Sequence, residues 1–150
     1  GAANTARAAG ALTVAIVCND GSELGAVADH AIVAVVGPEV IAGSTRMKAG
    51  TAQKLVLNTI STVTMIRLGK TFGNLMVDVV ASNAKLRARA RRAVTLATGA
   101  GDTEVDDALA ASDGNVKVAI VSLLARVDAR EAAELLERSN GVVRDALAAR

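Results

Sequence analysis

The chain has almost no aromatic side chains. Tryptophan and tyrosine are absent and Phe72 is the only phenylalanine among 150 residues, so the core has to be built from Ala, Val, Leu and Ile. Ring stacking on sugars or nucleobases is thereby nearly excluded. A single cysteine, Cys18, permits no internal disulfide, and its place at the end of an apolar run reads as a small buried thiol in a reducing compartment. His30 is the only histidine, and neither it nor Cys18 has a second ligand at a sensible spacing, so no metal site is expected. No cofactor is expected either. No apolar stretch approaches the roughly 18 residues that cross a bilayer, and the N-terminus lacks the layout of a signal peptide. A cytoplasmic location away from membranes is expected. A net charge of +2 is too small to imply nucleic acid. Neither a Ser-His-Asp order nor a phosphate-binding P-loop occurs.

What is present is a hydrophobic content of 51%, ample for a core in one domain or one domain with a small appendage. Ala2 to Ala9 reads as the end of a helix with Gly10 as its terminator. Leu12–Cys18 and His30–Val36 read as buried strands, separated by the loop Asn19–Ser22 and a short helical stretch from Glu23 to Ala28. Apolar strands of this kind belong inside a parallel sheet covered on both faces, and sheets usually contain about four to six strands. Two are too few. The pattern therefore predicts an α/β chain that enters a doubly wound domain midway, its remainder lying upstream or being supplied by another chain.

The segment from Gly37 to Thr51, GPEVIAGSTRMKAGT, joins the second strand to the longest helical pattern. Pro38 and Gly43 punctuate a loop, and Ser44 or Thr45 is placed to cap the helix. A helix start carries partial positive charge, which would favour an acidic residue there, yet Arg46 and Lys48 occupy it. A phosphate or carboxylate in front of the helix would resolve the conflict, held by free N–H groups, two hydroxyls, a guanidinium and an ammonium. Alternatively both cations bend to solvent or pair with local acids such as Glu39.

The helix itself is expected from Thr45 to about Leu68. Ala52, Val56, Thr59, Val63 and Ile66 lie on one line and Leu57, Ile60, Thr64 and Leu68 on another, so burial against the sheet or between subunits is expected. Asn58, on the narrow remaining arc, reads as an interface amide ahead of a ligand contact. Gly69 stops the helix, Lys70–Asn74 forms a turn, and Leu75–Val80 reads as extended, with Asp78 requiring a cationic or N–H partner. Ser82 is placed to cap a helix over Asn83–Ala97. It carries Lys85, Arg87, Arg89, Arg91 and Arg92 beside a stripe of Leu86, Ala90, Ala93 and Ala97, and reads as a solvated basic face. Thr98–Gly101 marks a domain boundary, giving domains 1–98 and 99–150. Beyond it a repeat with a spacing of 27 residues begins: Glu104, Leu109, Ser112, Gly114 and Val116 recur as Glu131, Leu136, Ser139, Gly141 and Val143. Each copy reads as helix, glycine turn, helix, and Asp128 with Glu131 as a capping-box-like start.

The Gly37–Thr51 segment, continuing through Gln53-Lys54-Leu55-Val56-Leu57-Asn58 and returning at Phe72–Val79, resembles the signature shared by N-acetylmuramic acid 6-phosphate etherases and the glucokinase regulatory protein. The second block and the tail look more like the etherase. The resemblance implies the C-terminal half of a sugar isomerase-type domain with a doubly wound parallel sheet, followed by a small all-α bundle like the ubiquitin-associated fold. It implies a homodimer that binds a phosphorylated amino sugar through Glu39, Ser44, Thr45, Arg46, Lys48 and Thr51. Etherases of this family cleave the D-lactyl ether to give N-acetylglucosamine 6-phosphate and D-lactate in cell-wall amino-sugar recycling, and their catalytic carboxylates lie upstream of the signature. No catalytic residue is therefore expected in residues 1–150, and this chain alone is expected to be inactive. Glu39 reads as a sugar contact or a partner for Arg46. A non-catalytic sugar-phosphate-binding regulatory module is the alternative.

Overall fold

A computed structural model describes residues 1–149 as two compact units, Gly1–Thr62 and Val63–Arg150. The first unit contains α1 (Ala2–Ala8), β1 (Val14–Val17), α2 (Glu23–Val27) and β2 (His30–Val33); α3 (Lys48–Arg67) belongs in part to each unit. Among the described residues no single helix is long and apolar enough to cross a membrane.

β1 and β2 pair in parallel, with Val14 opposite His30 and Val17 opposite Val33. A parallel pair needs a crossover, and α2 supplies it, its first turn capped by the Ser22 hydroxyl accepting from the Gly25 N–H at 3.1 Å. Asp29 pins the start of β1. Its carboxylate accepts from the Thr13 N–H at 2.8 Å and the Thr13 hydroxyl at 2.7 Å, and pairs with Arg7 at 3.0 Å. The Thr13 side-chain and backbone hydrogen bonds hold the Asp29 carboxyl below its ordinary range. The expected strands are shorter than their apolar runs, and the parallel sheet has two strands among the described residues. Ala15 and Val17 are buried on one face of β1, whereas Cys18, expected to be buried, is half-buried.

The second unit holds β3 (Thr71–Phe72), β4 (Leu75–Met76), α4 (Ala84–Thr98), α5 (Asp102–Ala111), α6 (Val116–Ala125), α7 (Ala129–Arg138) and α8 (Val143–Ala148). The turn expected at Lys70–Asn74 is part of an antiparallel hairpin, Thr71 facing Met76 and Phe72 facing Leu75. Only the first two residues of the expected Leu75–Val80 run pair. α6 is apolar nearly all round and sits in the middle of the core, with Val116, Val118, Ala119, Ile120, Val121 and Ala125 buried. Ala90, Ala93 and Val94 of α4, Val105 of α5, Leu135 and Leu136 of α7 and Val143 of α8 close around it. Small side chains at these contacts let the helix axes approach closely, which is how a core without rings is filled.

The repeat is visible in the backbone. Asp113 and Gly114 have φ of 50° and 75°, and Asn140 and Gly141 have 51° and 73°. Gly114 N–H donates to Leu109 C=O and Gly141 N–H to Leu136 C=O, each at 2.7 Å. Asp128 caps α7 by accepting from the Glu131 N–H at 2.8 Å, as expected. Asn83, one residue beyond the expected Ser82, caps α4 by accepting from the Leu86 N–H at 3.0 Å. Compactness divides the chain at Thr62, and composition at Thr98. The two differ because Val77 and the α4 stripe join the same core as α5 to α8.

Asp78 has the cationic partners its sequence context demands: Lys70, and Lys117 at 3.7 Å. Lys117 also donates to the Gly141 carbonyl at 3.0 Å, so one ammonium ties the strand exit to the turn between α7 and α8. The Lys70 hydrogen bond is the main cause that holds the Asp78 carboxyl below its ordinary range.

Within the chain α3 is not buried against the sheet: it has no buried residue, and Leu57 is 57% exposed. Apolar periodicity reports which faces a helix gains by burying and not what lies against them.

Candidate functional site

The Gly37–Thr51 segment forms a closed loop that ends on the first turn of α3. Gly37 and Gly43 have φ of 71° and 83°, the left-handed region that side chains rarely adopt, so the chain turns sharply at both. The Ser44 N–H donates to the Ile41 carbonyl at 3.0 Å, and the Gly50 N–H donates back to the Thr45 carbonyl at 2.9 Å. A Cβ on Gly50 would lie 3.2 Å from that carbonyl, so a larger residue there would have to push the loop back by a few tenths of an ångström.

The start of α3 differs from the sequence expectation in two respects. It begins at Lys48 and not at Thr45, so Arg46 precedes the helix. Its first free N–H groups are not capped by Ser44 or Thr45. The Glu39 carboxylate reaches across and accepts from the Lys48 N–H through both oxygens and from the Ala49 N–H through one, all at 3.1 Å. A carboxylate at this end satisfies orphan donors and the helix dipole together, which a hydroxyl does less well. The Lys48 and Ala49 hydrogen bonds hold the Glu39 carboxyl below its ordinary range. Glu39 therefore pairs with the helix and not with Arg46.

The remaining expected residues surround this anchor. Ser44 is half-buried, while Thr45, Arg46, Lys48 and Thr51 are exposed. Among the described residues neither Arg46 nor Lys48 enters an ion pair, so both cations are free to meet an anion. α3 starts beside the carboxyl end of β1. Cys18 Sγ lies 3.9 Å from the Ala49 carbonyl, and Gln53 Nε2 donates to the Ile16 carbonyl at 3.3 Å. The carboxyl edge of the strands is where open α/β sheets receive ligands. Sequence reasoning missed Cys18 and Gln53 as the link to the strand, and no periodic signal pointed to either.

Other features are built from other residues. A cavity of about 780 Å³ in the second unit is lined by Asp78, Arg87, Arg91 and Asp106 among others; it takes in Val77, Asp78 and Val79 of the Phe72–Val79 block and no residue of Gly37–Thr51. Arg91 is committed to Asp106 at 2.6 Å and Asp102 at 3.2 Å. The other basic residues of α4 are exposed. Asn58 is exposed as well, and among the described residues no three His, Cys, Asp or Glu side chains come together as a metal site.

Comparison with known proteins follows the same corner of chemistry. The chain is 66% identical over 149 residues to an N-acetylmuramic acid 6-phosphate etherase of Streptomyces avermitilis, a match that covers 99% of the chain and 48% of the relative. It is similar to N-acetylmuramic acid 6-phosphate etherases over nearly its whole length. The etherase of Streptomyces coelicolor is 63% identical over 99% of the chain, and that of Rubrobacter xylanophilus 61% identical over 98%. In each case 48% of the etherase is matched, so the chain spans about half the length of these curated relatives. No protein-family model matches the chain. The etherase resemblance read from the Gly37–Thr51 and Phe72–Val79 segments is borne out.

Proposed function

We propose that the chain is the C-terminal half of an N-acetylmuramic acid 6-phosphate etherase, a lyase that acts in the cytoplasm in the recycling of cell-wall amino sugars. The observation that carries this is the 66% identity across 99% of the chain to an etherase of which it spans 48%. In the reaction a base removes the proton next to the aldehyde of the opened sugar. The bond from the neighbouring carbon to the lactyl oxygen breaks, an acid protonates the departing D-lactate, and water then adds to give N-acetylglucosamine 6-phosphate. The base and acid are carboxylates of the other half of the protein, for Glu39 is already engaged with the amides of α3.

This chain's contribution is recognition. Arg46 and Lys48 offer a guanidinium and an ammonium to the sugar phosphate, with hydroxyls from Ser44, Thr45 and Thr51 beside them. Their support is the closed loop at the carboxyl edge of β1 and the absence of ion pairs at both cations among the described residues. In the complete protein, residues 1–98 belong to a sugar isomerase-type domain with a doubly wound parallel sheet. Residues 99–150 form a small helical bundle of the ubiquitin-associated type, its core shared with α4 and Val77. The exposed apolar lines of α3 are then covered by the rest of that domain and by a second copy in a homodimer. Support for this comes from a helix that carries Leu55, Leu57, Ile60, Val63 and Ile66 yet buries none of them.

The test is release of D-lactate from N-acetylmuramic acid 6-phosphate. The complete protein should turn the substrate over, and residues 1–150 alone should release none. Failure of the complete protein to act refutes the etherase reading, and turnover by the isolated chain refutes the placement of the catalytic carboxylates outside it.

A further inference from the structure

We infer that Glu39 is a positioning residue: its carboxylate closes the signature loop onto α3 and so fixes Ser44, Thr45 and Arg46 where a phosphorylated sugar meets them. The inference rests on the functional reading above and assigns Glu39 a role other than touching the sugar.

Three observations carry it. First, one carboxylate makes three contacts at 3.1 Å with the N–H groups of Lys48 and Ala49, nine and ten residues along the chain. Both oxygens accept, so the carboxylate is held bidentate at the helix end. Second, the loop has its own closing bond, from the Gly50 N–H to the Thr45 carbonyl, and no bulky core beneath it: Val40 is 84% and Ile41 70% exposed. A loop with so little buried apolar surface is held by its polar anchors, and Glu39 supplies most of them. Third, the α3 N-terminus already has its anion, one held covalently in the chain and always present. An incoming phosphate is therefore met by the side chains that the loop displays and not by the helix amides. The Arg46 and Lys48 cations do not oppose the helix dipole unrelieved, because Glu39 neutralises that end.

The experiment compares wild-type complete protein with Glu39→Ala, Glu39→Gln and Arg46→Ala. Hydrogen exchange at the Lys48 and Ala49 amides is followed without sugar, and KM and kcat are measured with N-acetylmuramic acid 6-phosphate. Glu39→Ala should speed exchange at both amides at least tenfold and raise KM about tenfold, with kcat within about threefold of wild type. Glu39→Gln keeps an acceptor oxygen and should recover part of both effects. Arg46→Ala should raise KM while leaving exchange at the two amides unchanged. Raised KM with protection intact in Glu39→Ala overturns the inference and makes Glu39 a sugar contact. Lost protection with unchanged KM also overturns it and leaves Glu39 a purely structural cap. If the wild-type protein shows no turnover, the etherase reading fails. The exchange data then still decide whether Glu39 closes the loop, by the same tenfold criterion.

Discussion

Replacing Gly69 by Ala tests the packing of the second unit at its closest point. Gly69 ends α3 with φ of 68°, its N–H donating to Ile66 and the Lys70 N–H to Met65, each at 3.0 Å, the paired bonds of a Schellman terminus. An alanine Cβ would sit 2.8 Å from Val142 Cγ2, 3.2 Å from Val142 Cα and 3.3 Å from the Gly141 carbonyl oxygen. Two of those three atoms are backbone and cannot rotate away. The left-handed conformation costs a Cβ-bearing residue about 1–2 kcal/mol. Forcing a methyl against fixed neighbours costs about 1–3 kcal/mol more, so roughly 2–5 kcal/mol in all. Gly73 and Gly99 provide controls, with φ of 58° and 72° and nothing within 4 Å of an added Cβ. Gly73→Ala and Gly99→Ala should bear the conformational cost alone, about 1–2 kcal/mol. Urea denaturation followed by circular dichroism at the helical minimum measures all three. Equal midpoints for the three variants would refute the close approach of Gly69 to the turn between α7 and α8.

Three further outcomes follow from the same unit. Ile120→Ala empties a wholly buried site in α6 and should cost about 2–5 kcal/mol, against about 0.5–1.5 kcal/mol for Ile120→Val, both by denaturant unfolding. Asp128→Ala removes the acceptor for the Glu131 N–H and should cost about 1 kcal/mol, whereas loss of less than the measurement error would deny the cap. Asp78 has a lowered native pKa, so the stability it confers is complete above the ordinary aspartate range and is lost as pH falls through the native value. Asp78→Asn should accordingly flatten the acid limb of the stability profile, and an unchanged acid limb would show that Lys70 and Lys117 do not stabilise the charged form.

Local signals were legible where the answer was local. The spacing of 27 residues foretold two turns of the same geometry, because Gly114 and Gly141 each occupy a left-handed position that the preceding helix fixes. Asp128 as a cap, and Gly69 in its role as the terminator of α3, likewise act on neighbours within a turn or two. The stripe Leu86, Ala90, Ala93 and Ala97 named the packed side of α4 but omitted Val94, which is fully buried. The candidate site was less legible. Ser44 and Thr45 carry a strong local capping signal, yet Glu39 wins the α3 amides from nine residues away, because a charged acceptor binds N–H groups more tightly than a hydroxyl does. Nothing in the sequence marks that distance. The exposure of α3 was also hidden, since apolar periodicity is a property of the helix and cover is a property of its surroundings.

The central claim is that the loop closed by Glu39 presents Arg46 to a phosphorylated amino sugar. Its most direct test is calorimetric titration of the complete protein and its Arg46→Ala variant with N-acetylmuramic acid 6-phosphate. The account predicts a loss of affinity greater than tenfold, which corresponds to about 1.4 kcal/mol or more. Equal affinities would contradict it, leaving the likeness to etherases as the sole ground for placing the sugar at this corner.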